Sequence, residues 1–159
     1  LFLSGCCEER NAYKQFNLGV MYDQGEGVEQ DYKEAVYWYT KAAEQGDVRA
    51  QNNLGVMYEK GQGVLQDYKQ AVYWYRKAAE QGDAYAQFNL GLMYAEGQGV
   101  IQDYAKSHMW FNISAYSGNS KAPKDRDIVS KEMTSQQIAE AQRMAREWVE
   151  NFEKRKKKE

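Results

Sequence analysis

What the sequence lacks narrows the fold first. One proline in 159 residues leaves long helices uninterrupted. The only two cysteines, Cys6 and Cys7, are adjacent, and an ordinary disulfide between neighbours is strained, so no disulfide framework supports the chain. A single histidine, His108, without a second histidine or clustered cysteines, does not make the usual zinc site, and an inert surface or edge position is expected for it. No apolar run approaches the length of about 20 residues that spans a bilayer. The sequence does not begin with Met, so a further upstream segment is expected.

Charge of one sign is also scarce where it matters. The net charge is −2, and the run Lys154, Arg155, Lys156, Lys157, Lys158 supplies five positive charges; without them the remainder carries −7. An acidic body offers no footprint for nucleic acid. The terminal run itself reads as a solvated tail, with anionic lipid or an acidic partner as the alternative.

What is present is repetition. Residues 11–46 and 47–82 are identical at 25 of 36 positions, and 83–118 continues in phase. Gly19, Gly55 and Gly91 correspond, as do Tyr22, Tyr58 and Tyr94, and Trp38, Trp74 and Trp110. One supersecondary unit copied in tandem is implied, each copy packing mainly on its neighbours.

The contents of one unit identify the element. Asp47 is a good N-cap. Ala50, Leu54, Met57 and Tyr58 then mark one helical face. Gly61 and Gly63 stop that helix, Asp67 caps a second, and Ala71, Trp74, Tyr75 and Ala78 form its buried stripe before Gly82 ends it. Each unit is therefore predicted to be an antiparallel helix pair. Gly55 falls where a side chain would hold two helices apart, so small residues interdigitate with large ones. The pattern decays after residue 118. Ile128, Val129 and Met133 still offer an apolar face. Thr134 and Gln137 have capping-box spacing, and Ile138, Ala141, Ala145, Trp148 and Phe152 define a last amphipathic helix with Glu140, Arg143, Arg146, Glu147 and Glu150 facing out. The expected organisation is an all-α solenoid: residues 1–10 of open character, repeats at 11–46, 47–82 and 83–118, a degenerate repeat and capping helix at 119–153, and a basic tail at 154–159.

Ala50-Gln51-x-x-Leu54-Gly55-x-x-Tyr58, then Gly61-x-Gly63-Val64-x-x-Asp67-Tyr68, then Ala71-x-x-Trp74-Tyr75-x-x-Ala78-Ala79-x-x-Gly82 resembles the Sel-one-like repeat, a relative of the tetratricopeptide repeat. The resemblance covers roughly Asn11 to Asn119 in three close copies, and the segment around Glu147 and Trp148 is similar to the terminal part of bacterial members. It implies a right-handed superhelical solenoid that acts as an adaptor for protein complexes, often in the bacterial envelope or in host interaction. Some secreted relatives carry a disulfide in every repeat, and the repeats here contain no cysteine.

The resemblance also directs attention to the first helices, which in tetratricopeptide repeats line the concave groove. Asn17, Asn53 and Asn89 share one register there, and an amide that both donates and accepts suits a peptide backbone. Tyr13, Phe16, Arg49, Asn52, Tyr85 and Phe88 flank the row and vary among otherwise similar repeats, as a specificity surface does. The other reading of the asparagines is that they satisfy groups inside the repeat.

Other motifs carry less. Gly25 and Gly27, with their copies, lack the third glycine and the preceding strand of a phosphate loop and read as turn glycines. No serine has a lysine three residues later, so the acylation motif linked to some cysteine-rich relatives is missing. No catalytic triad and no cofactor motif is visible. Leu3-Ser4-Gly5-Cys6 has the form of a bacterial lipobox, which would make Cys6 a lipidated residue and anchor the protein in the cell envelope or periplasm. The alternative is a worn preceding repeat, with Cys6 and Cys7 in the register of Ala42 and Ala43, and then a cytoplasmic setting is open.

The sequence thus points to a non-enzymatic scaffold holding a protein or peptide partner, its oligomeric state unspecified. The rivals are an envelope hydrolase on a repeat scaffold and a purely structural envelope protein.

Overall fold

The computed structural model describes residues 3–158, and side chains from Asn11 to Lys158. The lipidation reading of Cys6 lies outside the described side chains, although the backbone there belongs to the first helix. Every described element is helical: α1 (Leu3–Gln24), α2 (Tyr32–Glu44), α3 (Val48–Lys60), α4 (Tyr68–Glu80), α5 (Ala84–Glu96), α6 (Tyr104–Tyr116), α7 (Ala122–Ser130) and α8 (Ser135–Lys156). Short polar residues define the starts. Asp31, Asp47, Asp83 and Asp103 each cap a helix through the side chain, Asp67 accepts from the Lys69 and Gln70 amides, and Thr134 and Gln137 form a reciprocal capping box. Gly61 and Gly97 close α3 and α5 in the left-handed conformation, at φ 66° and 69°.

The glycine-containing loops fold inward. The amides of Glu26, Gln62 and Gln98 donate to the carbonyls of Met21, Met57 and Met93. The Gln30, Gln66 and Gln102 side chains donate to the carbonyls of Asp23, Glu59 and Ala95, at 2.6, 2.7 and 2.8 Å. These donors turn back to the preceding helix end, which fits turn glycines in all three copies.

The chain divides into two compact units, one ending at Lys77 and one beginning at Ala78. In the first, α1, α2 and α3 pack around Ala35, Tyr39, Ala42, Ala43, Ala50, Leu54, Met57 and Trp74, all buried. A Cβ on Gly19 would stand 2.5 Å from the Tyr39 ring, and one on Gly55 would stand 2.6 Å from the Tyr75 ring. The aromatic ring lies directly on the backbone of the neighbouring helix. Gly63 is equally constrained: a Cβ there would meet the Tyr32 carbonyl oxygen at 2.2 Å, and its φ is +72°.

In the second unit α6 is the central element, in contact with α5, α7 and α8. Phe111 takes the tyrosine's place, and a Cβ on Gly91 would meet its ring at 2.7 Å. Phe111, Ala122 and Val129 form a buried cluster joined by Phe88, Leu92 and Met133. Trp148 of α8 meets Trp110 edge-on at 5.7 Å and stacks on Phe152 at 5.1 Å, while Phe152 covers Gly82.

Two expectations need correction. His108 is not on an edge but buried at 2% exposure, because its helix is covered on several sides. Ile128 is half-exposed, and Val129 alone of that pair turns inward, since one turn of α7 presents a single face to α6. The basic run from Lys154 to Lys158 is exposed, and α8 continues into it through Lys156.

Alanine normally stabilises a helix relative to glycine by about 1 kcal/mol. Gly55→Ala is expected to do the reverse and cost about 1–3 kcal/mol by overpacking against Tyr75. Urea denaturation of the two proteins gives the sign, and a stabilised Gly55→Ala would contradict the close approach.

Candidate functional site: the first-helix face and its neighbours

The residues singled out on the first helices separate into two groups. Asn17, Asn53 and Asn89 are half-buried. The Tyr39 hydroxyl donates to Asp23 Oδ2 at 3.2 Å and is hydrogen-bonded by the Asn53 side chain. Burial, more than any neighbour, raises this phenol above its ordinary pKa; the Asn53 amide opposes that shift and Asp23 adds to it. The arrangement couples one repeat to the next: an asparagine of α3 meets a tyrosine of α2, which meets an aspartate of α1. The Tyr75 hydroxyl likewise donates to Glu59. At the third position both halves of the pair are gone, with Phe111 for the tyrosine and Ala95 for the acid.

In the second group Tyr13, Arg49 and Tyr85 face water. Tyr13 and Tyr85 are 55% and 70% exposed. The Arg49 guanidinium lies 4.1 Å from the Phe16 ring centroid and 5.3 Å from that of Tyr13. It is pinned by Asp47, with Nε to Oδ1 at 3.3 Å and Nη2 to Oδ2 at 2.6 Å, the same carboxylate that caps α3. Tyr13, Phe16 and Arg49 are thus brought together into one aromatic–cation patch, from α1 and α3. Phe16 and Phe88 are only partly surface residues. Phe16 lies 5.8 Å from Tyr39, and Phe88 5.5 Å from Phe111. Asn52 is half-buried and engaged in its surroundings.

Sequence reasoning missed the glutamines that stitch helices together. Gln51 donates to the Ala43 carbonyl and Gln87 to the Ala79 carbonyl, each at 3.1 Å, filling acceptors that a helix end leaves open. Their identical register was the available signal. It also missed the polar chain in the second unit. Asn112 Nδ2 meets His108 Nδ1 at 3.0 Å, Arg126 Nη1 donates to Asn112 Oδ1 at 3.2 Å, and Arg126 pairs with Asp127. Desolvation, and then the Arg126 charge, lower the His108 pKa.

Two open clefts flank α8. One of about 440 Å³ lies between α6 and α8, with Asn112, Tyr116, Ala145, Arg146 and Val149 among its walls. The other, of about 470 Å³, is lined by Glu80, Trp148, Asn151, Lys154, Arg155 and Lys158. Among the described residues no His, Cys, Asp and Glu side chains gather as a metal-binding group, and no helix is long and apolar enough to cross a membrane.

Helix pairs joined by inward-folded glycine loops, with an aromatic ring seated on a glycine in each pair, define a helical repeat protein of the tetratricopeptide-like class. The chain belongs to the Sel1 repeat family, whose model matches residues 15–47, 48–83 and 84–119. Among solved structures it is similar to a Sel1 repeat protein from Oxalobacter formigenes, at 40% identity and TM-score 0.72 over 79% of this chain and 51% of that one. It is also similar to a protective antigen of uropathogenic Escherichia coli described as displaying an SLR fold, at 33% identity and TM-score 0.63 over 92% of this chain and 39% of that one. The chain therefore spans about half or less of the length of these two relatives. Helicobacter pylori cysteine-rich protein B shares the fold at 20% identity, with TM-score 0.60 over 74% of this chain and 96% of that one. No curated protein matches the chain. Sel1 repeats form helical scaffolds that commonly serve protein–protein interaction and are generally not catalytic.

The neutral His108 is the form the fold accepts. Its depressed pKa contributes stability above the ordinary histidine range, near about 6.5, and that contribution is lost as pH falls through the lowered folded value. Urea midpoints at pH 7.5 and 5.0 are expected to differ less in His108→Gln than in the parent chain. An equal acid loss in both would remove His108 from the account.

Proposed function

We propose that this chain is a protein-interaction scaffold whose recognition surface is the exposed side of its first helices, centred on Tyr13 and Arg49. The observation that carries the reading is the aromatic–cation patch. An exposed Tyr13 and a guanidinium pinned on Phe16 by Asp47 form a preorganised, amphipathic surface of the kind enriched at interfaces. The patch sits at positions that differ among the three copies, while the buried positions around it repeat. Tyr13, Arg49 and Tyr85 share one register, and Phe16, Asn52 and Phe88 another. Asn17, Asn53 and Asn89 belong to this proposal as residues of one sequence register on the first helices, each half-buried. The bond from Asn53 to Tyr39 favours a supporting role for Asn53 over direct contact with the partner's backbone.

A photo-crosslinking residue placed at Tyr13 or Arg49 is expected to capture a partner in the native cell, and one placed at Tyr37, on a second helix, is not. With the partner in hand, Arg49→Ala is expected to weaken binding by about 1–2 kcal/mol while leaving thermal stability nearly unchanged. Asn53→Ala is expected to act mainly on stability, by about 1 kcal/mol. Capture from Tyr37 alone, or a binding loss confined to Asn53→Ala, would relocate the surface.

The lipobox form of Leu3-Ser4-Gly5-Cys6 supports a second element of the proposal, attachment of the scaffold to the bacterial cell envelope through Cys6. The full-length protein is then expected to take up a fatty-acid probe in its bacterium, and Cys6→Ser to abolish the label. Unlabelled parent protein in the cytoplasmic fraction would support the worn-repeat reading instead.

A further inference from the structure

The charge on α8 is segregated. Lys154, Arg155 and Lys156 close the helix, and Lys157 and Lys158 follow directly. Cations at a helix C-terminus complement its dipole, but that effect is confined to the last turn and needs only one or two of them. Among the described residues, Lys154, Lys157 and Lys158 have no ion-pair partner. Further up the same helix, by contrast, Arg143 is held by both Glu140 and Glu147.

The cations are also organised in space. Asn151, Lys154 and Arg155 share one face of α8 by their i, i+3, i+4 spacing, and Lys158 follows just past the helix end. They line the cleft of about 470 Å³ together with Trp148 and Glu80. Its aromatic side is fixed, since Trp148 stacks on Phe152 and Phe152 is seated over Gly82. Arg155 lies 5.8 Å from the Phe152 ring centroid, which holds its charge near the cleft.

We infer that this basic end of α8 is a second docking surface, built to take an acidic segment of a partner protein. Peptide carboxylates would meet Lys154, Arg155 and Lys158, and peptide N–H groups the Asn151 and Glu80 oxygens. Three observations favour such a segment over an anionic membrane or a nucleic acid. The apolar face of α8 is already committed, with Ala141 and Ala145 buried and Trp148 set against Trp110, so the helix has no free face for a bilayer interface. The rest of the chain carries −7 and repels an extended polyanion. Glu80 adds a carboxylate inside the cleft itself, which a uniform phosphate backbone meets as a like charge and a peptide of mixed sequence can accommodate.

The inference concerns a surface separate from Tyr13 and Arg49, and it stands if the first-helix reading fails. The test is fluorescence anisotropy with a labelled octapeptide in which glutamates alternate with serine and asparagine, against the full chain and its Lys154→Glu/Arg155→Glu/Lys158→Glu variant. The parent chain is expected to bind, with affinity falling as salt rises, and the variant to bind at least about tenfold more weakly. Circular dichroism and thermal melts establish that the variant is folded, and a Lys154→Gln/Lys158→Gln variant is expected to give an intermediate loss. Equal binding by parent and charge-reversed chains overturns the inference. So does an absence of peptide binding, whether or not the parent chain binds phosphatidylglycerol vesicles or a single-stranded oligonucleotide.

Discussion

The close approach of an aromatic ring to a helix backbone, permitted by one missing methyl group, is the constraint from which the rest of the structure follows. Gly19 under Tyr39, Gly55 under Tyr75 and Gly91 under Phe111 repeat it in every helix pair. A ring seated this closely buries its far end as well. Where that end carries a hydroxyl, an unbonded oxygen would cost about 1–3 kcal/mol. The chain answers with an acid sixteen residues earlier, Asp23 for Tyr39 and Glu59 for Tyr75. The third pair lacks both members together: Phe111 has no hydroxyl, and the acid's position is Ala95. Glycine, ring and acid are therefore one device, and the spacing of the helices is set by it.

That device bears on function because it consumes the polar groups that look available in the sequence. The Asn53 amide is drawn to Tyr39, the loop glutamines to helix ends, and Gln51 and Gln87 to the carbonyls of the preceding helix. On the proposed reading, a partner meets the side chains the repeat does not need, which is the set free to differ between copies. Tyr13, Arg49 and Tyr85 are of this kind. Arg49 also shows how a surface residue gains rigidity from the scaffold: Asp47, needed as a cap, orients the guanidinium over Phe16, whose inner edge is set against Tyr39. A recognition group held in this way loses little side-chain entropy on binding.

Much of this was legible in the sequence, for reasons that differ between elements. Helix limits were readable because aspartate and glycine act locally, through one side-chain cap or one positive φ. Asp47, Gly61 and the Thr134–Gln137 box needed no tertiary knowledge. The role of Gly55 was readable because the period placed it opposite large residues. The Tyr39–Asp23 bond was not, since periodicity marks Tyr39 as buried without saying where its hydroxyl points. His108 was misjudged because its polarity was weighed above its register, although that register is half-buried at Val36 and buried at Val72. The groove asparagines were drawn from a resemblance to other repeats, and the hydrogen bond to Tyr39 reweights them.

The divergence of α6 from α2 and α4 has one physical cause. In the first unit, Lys41 lies over the Tyr37 ring at 4.8 Å and Lys77 over the Tyr73 ring at 5.2 Å, with both tyrosines half-exposed. These side chains belong to a face open to water. The corresponding residues of α6 are Met109 and Ile113, and Ile113 is fully buried. A lysine there would lie under the two terminal helices with its charge unpaired, at a cost of several kcal/mol. Replacing the Lys–Tyr pair by apolar residues and introducing His108 with its Asn112 and Arg126 partners converts a repeating surface into a receiving one. The same change lets α8 bury Ala141 and Ala145 and still carry its last turn, with Lys154, Arg155 and Lys156, out to where it meets solvent. Ending the repeat and presenting the basic face are thus two consequences of one set of substitutions on α6.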